Sequence, residues 1–168
     1  ASNNTAVGTS ALTANTTGSS NVSVGYRALY SSTTAQRNTA VGVEAGQAIT
    51  TSIQNNLFGN ASGYNLTTGN RNTFIGSYVG FSVTSGAGNT FIGNSGSDDS
   101  AGAGYYMTSG SNNTIIGGFT GNQNSLDIRT SDNNIVLSDG VGNPRGIFDS
   151  SGNFLVGTNS QFSIGRVC

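Results

Sequence analysis

The chain has 168 residues, a net charge of −1 and only 8% charged residues; lysine and histidine are absent and all six cations are arginine. With no basic stripe, the composition argues against a nucleic-acid or anionic-membrane binder, and no apolar run reaches the ~20 residues a membrane-spanning helix needs. The single cysteine, Cys168, has no intrachain partner, so disulfides do not hold the fold.

Reading along the chain, Asn4-Thr-Ala-Val-Gly8 is followed by Asn21-Val-Ser-Val-Gly25, Asn38-Thr-Ala-Val-Gly42, Asn55-Asn-Leu-Phe-Gly59, Asn72-Thr-Phe-Ile-Gly76 and Asn89-Thr-Phe-Ile-Gly93, each start 17 residues after the last. A fixed short period is the signature of a solenoid, in which each repeat forms one rung. The spacing then loosens: Asn113-Thr-Ile-Ile-Gly117 follows after 24 residues, Asn134-Ile-Val-Leu after 21, and Asn153-Phe-Leu-Val-Gly157 after 19. The expected architecture is an all-β parallel β-solenoid (β-roll or β-helix) of about nine rungs, assembled as a homotrimeric fibre. Residues 1–133 form the regular repeats, with an inserted loop at 94–112. Residues 134–168 form irregular C-terminal rungs leading toward a missing downstream domain. Both chain ends fall inside the repeat pattern, which points to a piece of a longer polypeptide.

Numbering each repeat from its Asn, positions 2–4 are β-branched, apolar or aromatic between Asn and Gly, which reads as a strand. A second apolar group further along predicts a second short strand and two turns per rung. No helical period is sustained. The asparagines Asn4, Asn21, Asn38, Asn55, Asn72, Asn89 and Asn113 are expected to cap turns and to form a ladder of side-chain amides. From the fourth rung onward positions 3 and 4 are both large, and successive strand residues point to opposite faces. One column must therefore face outward, where a solvated monomer avoids an apolar stripe. Position 4 (Val7, Val24, Val41, Phe58, Ile75, Ile92, Ile116) is read as the rung core. Position 3 (Leu57, Phe74, Phe91, Ile115) is read as the trimer interface.

The run Asn-Thr-Ala-Val-Gly-x-x-Ala-Leu, with Thr-Thr-Gly before the next Asn, resembles the shaft and head repeats of bacteriophage tail fibres and the β-roll heads of trimeric autotransporter adhesins. Asn4–Gly18 and Asn21–Thr34 carry the likeness best, then Asn72–Gly93. Leu137-Ser-Asp-Gly and Phe148-Asp-Ser-Ser-Gly-Asn-Phe-Leu-Val-Gly-Thr158 resemble the module preceding the self-cleaving chaperone of phage fibres, which favours phage over adhesin. The resemblance implies a homotrimer on an extracellular virion appendage that contacts a host-surface glycan or protein receptor. With no His or Lys and no paired nucleophile and base visible, hydrolase triads are absent, and the expectation is a protein that is not an enzyme and takes no cofactor. The repeats are longer than those of the best-known adhesin heads, so the handedness of the coil is not carried over.

Against that stand other chemistries. A polysaccharide-cleaving tailspike needs two carboxylates across a scissile bond. Glu44 has Ala61 at the matching place one rung on, Asp98 and Asp99 are adjacent in the insertion, and Asp127, Asp132, Asp139 and Asp149 lie in the least regular region. Asp98 and Asp99 with Ser97 and Ser100 offer oxygens to Ca²⁺, but the nonapeptide of calcium-binding β-rolls is missing. Paired threonines at Thr16/Thr17, Thr33/Thr34, Thr50/Thr51 and Thr67/Thr68 raise an ice-binding array, although neighbouring residues suit a turn better. The receptor-binding candidates are Tyr105, Tyr106, Met107, Asp98 and Asp99, where the insertion adds aromatics. The competing reading is that Tyr105 and Tyr106 pack the loop against the shaft.

Overall fold

Parallel stacking of one short strand per repeat builds the molecule, whose computed structural model describes residues 1–94 and 101–156. The strands are β1 (Thr5–Val7), β2 (Val22–Val24), β3 (Thr39–Val41), β4 (Asn56–Phe58), β5 (Thr73–Ile75), β6 (Thr90–Ile92) and β7 (Thr114–Ile116). A hairpin, β8 (Asn122–Gln123) and β9 (Leu126–Asp127), branches off, and β10 (Ile135–Ser138), β11 (Pro144–Phe148) and β12 (Phe154–Val156) complete the chain order. The principal sheet runs β1 to β7 and then β10, β11, β12. In it each residue lies beside its repeat equivalent, as in Thr39↔Asn56, Ala40↔Leu57 and Val41↔Phe58.

This is the expected all-β parallel solenoid at 17-residue spacing, but with about seven turns rather than nine. The last two motifs do not stack as simple rungs. β10 still pairs parallel with β7, whereas β11 pairs antiparallel with β10 and β12 antiparallel with β11. The motif beginning at Asn153 is therefore separated from the stack by an intervening strand. Each rung also holds one strand, not two. Its remaining residues turn, yet still bond to neighbouring rungs, as in Leu29 N–H to the Ala45 carbonyl (3.0 Å) and Gly63 N–H to that of Val79 (2.9 Å).

The assignment of core and outer columns is inverted relative to the sequence reading. Leu57, Phe74, Phe91 and Ile115 are fully buried inside the coil, together with Ala40 and Val136. Val7, Phe58, Ile75 and Ile116 are exposed on the outer face, and Val24, Val41 and Ile92 are half-buried there. The cause is strand parity. Position 1 turns its Asn side chain into the coil, so position 3 points inward with it and positions 2 and 4 point out.

The interior fills by exchange of volume between columns. The first two rungs, with Ala6 and Ser23 at position 3, carry a buried Leu at position 9 (Leu12, Leu29), whereas the third, with Ala40, has Gly46 there, beside the side chains of Leu29 and Leu57 from the rungs on either side. Where position 3 becomes Leu or Phe, position 9 becomes Gly63, Gly80 or Gly104. Phe74 and Phe91 stack at 5.0 Å between ring centroids, nearly parallel at 9°. A Cβ on Gly80 would lie 2.5 Å from the Phe74 ring, and its φ of +61° is one an L side chain resists. Position 12 supplies the opposite wall with Ile49, Leu66, Val83, Met107 and Ile128.

Gly80→Ala is expected to destabilise the protein by about 3 kcal/mol or more, combining overpacking with left-handed strain. Gly152→Ala, whose Cβ would meet open space, is expected to cost only about 1–2 kcal/mol from φ alone. Urea unfolding of both variants at matched concentration checks the difference.

Candidate functional site

The asparagine column is buried from Asn21 onward and hydrogen-bonded along the stack. Asn72 donates its backbone N–H (3.0 Å) and Nδ2 (3.1 Å) to Oδ1 of Asn55, and Nδ2 also donates to the Gly86 carbonyl (2.9 Å). Oδ1 of Asn72 in turn accepts both from Asn89. The pattern begins at Asn4 and Asn21 and passes through Asn38 and Asn55. It also crosses the long repeats, because Asn113 N–H reaches Asn89 Oδ1 (2.9 Å) and Asn134 reaches Asn113. Buried amides are tolerable where hydrogen bonds satisfy them, as they do from Asn21 to Asn89.

A second ladder lies at position 13. The hydroxyls of Thr16, Thr33, Thr50, Thr67, Thr84 and Thr108 each donate to the equivalent carbonyl of the next rung, the last to Arg129. These threonines bond along the stack, the role their turn position suggests. The adjacent Thr17, Thr34, Thr51 and Thr68 are exposed.

The insertion is narrower than its expected span. Asn94 bridges Gly102, and Ala103 N–H bonds to the Gly93 carbonyl, so the rung resumes at once. Of the receptor candidates, Asp98 and Asp99 lie outside the described residues, as does Cys168. Met107 is fully buried at position 12 and is not available to a receptor; the rung has resumed before it, which places it in the core column. Tyr105 belongs to a stacked aromatic column, Tyr64–Phe81–Tyr105, with centroids 5.0 and 5.1 Å apart. Tyr106 is exposed and meets Tyr105 edge-on at 4.9 Å and 83°.

Tyr106 opens onto a depression of about 350 Å³ lined also by Ser82, Thr108, Asp127, Arg129 and Thr130. The β8–β9 hairpin supplies Asp127. Its turn residues Asn124 and Ser125 are both left-handed (φ 51° and 63°), as a tight two-residue hairpin requires. Arg129 grips Asp127 with two side-chain bonds, Nε to Oδ1 (2.9 Å) and Nη2 to Oδ2 (2.7 Å). The hydrogen bond from Arg129 holds the Asp127 carboxyl below the ordinary range, and its counterpart raises the guanidinium. Sequence reasoning missed Arg129 and Asp127 as groove residues. The available signal was that Arg129 replaces the threonine of every earlier rung.

The other carboxylates organise backbone. Asp139-Gly-Val-Gly-Asn143 and Asp149-Ser-Ser-Gly-Asn153 are matching turns flanking β11. Oδ1 of Asp139 accepts from Val141 and Asn143 N–H, and Oδ1 of Asp149 from Ser151 and Asn153 N–H. Side-chain bonds from Asn143 and Asn153 lead the causes that lower these two carboxyls, with Arg145 also acting on Asp139. Asp132 accepts from Ser111 N–H at 2.7 Å. Among the described residues no His, Cys, Asp and Glu side chains cluster as a metal site, and no helix is long and apolar enough to cross a membrane.

No family model matches the chain, and neither the curated proteins nor the solved structures contain a match.

A depressed folded pKa stabilises the turns above the unfolded carboxyl range near ~3.9 and loses that contribution as pH falls through the folded value. The Ser151 and Asn153 amide NMR signals are therefore expected to hold steady from neutral pH to about 4 and then move as Asp149 protonates. Asp149→Asn is expected to abolish that titration while leaving the amide signals of Asn72 and Asn89 in place.

Proposed function

We propose that this chain is a structural shaft segment of a trimeric phage tail fibre, which stiffens the appendage and carries a host-contacting surface away from the particle. The observation that carries this reading is the outward column Val7, Val24, Val41, Phe58, Ile75, Ile92, Ile116 and Leu137. A continuous apolar strip of this kind marks an interaction surface. It rises by one strand spacing per residue, about 4.8 Å. A surface that meets every residue of the strip needs the same rise, and another copy of this chain has it. The trimer interface therefore passes from the interior column to position 4, flanked by position 2 residues such as Thr39, Thr73 and Thr90. The phage assignment rests on the order of repeat motifs and on the C-terminal Leu137–Thr158 stretch. Stiffness follows from the unbroken ladders along the coil.

Native mass spectrometry is expected to show a particle of three times the 16.9 kDa chain mass. The double variant Ile75→Asp/Ile92→Asp is expected to run as a monomer with its far-UV circular dichroism retained. A wild-type protein that stays monomeric at micromolar concentration contradicts the assembly.

A further inference from the structure

We infer that the groove between Tyr106 and the Arg129–Asp127 pair binds a neutral pyranose unit of a surface glycan. The inference deepens the host-contact reading above and rests on it for the source of the sugar. Its starting point is where the repeat is broken. Position 11 holds Ala14, Ser31, Ala48, Asn65 and Ser82 in five successive rungs and Tyr106 in the sixth. Position 13 holds threonine in six rungs and Arg129 in the seventh. Neither replacement serves the coil interior, since both side chains are exposed. Two neighbouring rungs thus depart from the repeat to line one depression.

The groups suit a sugar. Tyr106 is 49% exposed and supported edge-on by Tyr105, which is itself stacked on Phe81. A supported aromatic surface offers apolar contact to pyranose C–H groups without the cost of ordering a loose side chain. Arg129 uses Nε and one Nη2 hydrogen on Asp127, leaving Nη1 and the second Nη2 hydrogen to donate to hydroxyl oxygens. Oδ2 of Asp127 accepts a single side-chain bond from Arg129 and retains capacity for a sugar hydroxyl. A fixed donor beside a fixed acceptor matches a vicinal diol. Ser82, Thr108 and Thr130 add hydroxyls around the rim. Because the ion pair is neutral overall, an anionic sugar gains no net attraction, and the site selects uncharged rings. None of the lining residues lies in the principal sheet, so assembly through the outer column leaves the groove open.

Saturation-transfer NMR on the intact assembled protein tests this with methyl glucoside, methyl galactoside, methyl mannoside, N-acetylglucosamine and methyl glucuronide as probes. Transfer to at least one neutral probe is expected. Its affinity should fall roughly tenfold or more in Tyr106→Ala and in Arg129→Thr. Arg129→Thr restores the residue of the other rungs, so its fold is expected to persist. Tyr30→Ala, an exposed aromatic elsewhere on the coil, is expected to bind as wild type. No transfer to any neutral probe, transfer to glucuronide alone, or unchanged binding in both groove variants overturns the inference. An unchanged trimer mass with no sugar binding sinks this proposal and leaves the fibre reading standing; a monomer that binds sugar does the reverse.

Discussion

Everything in this coil hangs on the side-chain amide at the first position of each repeat. An Asn carboxamide has donors and an acceptor in fixed geometry. Here the acceptor takes the next rung's backbone N–H and amide, while the donors reach the previous amide and a carbonyl of the following turn. A buried unmet amide costs about 1–3 kcal/mol per group, so each Asn holds its neighbours in register or becomes a liability. Extra residues are therefore admitted only where the ladder closes behind them. The 24-residue repeat does so through Asn89 and Asn113, and the 21-residue repeat through Asn113 and Asn134.

Register then dictates packing. Equivalent residues sit one strand apart, so side chains meet their counterparts in the next rung: Phe74 on Phe91 inside the coil, and Tyr64 on Phe81 on Tyr105 at the surface. Constant cross-section forces volume exchange within and between neighbouring rungs: Gly46 leaves room for Leu57 of the next rung, and Gly80 yields its space to Phe74. The backbone accepts unusual conformations to keep these contacts. The residue before each ladder Asn is left-handed even when it is Arg37, Gln54 or Arg71, a conformation such residues seldom adopt unless the surroundings impose it.

The period, the Asn and Gly columns and the parallel strand were legible in the sequence because each is a one-dimensional pattern. The inward and outward faces were not assigned correctly. Position 4 is uniformly apolar, which mimics a core, whereas Leu57 and Phe74 emerge only partway along. The reciprocal change from Leu29 at position 9 to Gly63 and Gly80 was the readable clue that position 3 shares its space with position 9. The number of turns was overcounted because the motif at Asn153 has the right residues but joins the sheet through an antiparallel partner, β11. The groove escaped notice because Asp127 and Arg129, two residues apart in the chain, come beside Tyr106 and Ser82 only through the stacking of successive rungs, and the Asn124-Ser125 turn that precedes them has no strong composition signal. Left-handed Arg37 and Arg71 carry no local signature either, since stacking imposes their conformation.

A strictly one-dimensional structure should tolerate loss of a whole unit and not of part of one. The direct measurement is hydrogen exchange on two deletion variants, one lacking residues 72–88 and the other lacking residues 72–89. Removing the full rung brings Asn55 against Asn89 and Leu57 beneath Phe91, so the ladder amides should remain as protected as in the parent protein. Removing one residue more takes Asn89 as well, leaves Thr90 where an Asn must stand and should abolish protection on both sides of the join. Equal protection in the two variants would contradict the claim that the asparagine ladder sets the register of this fold.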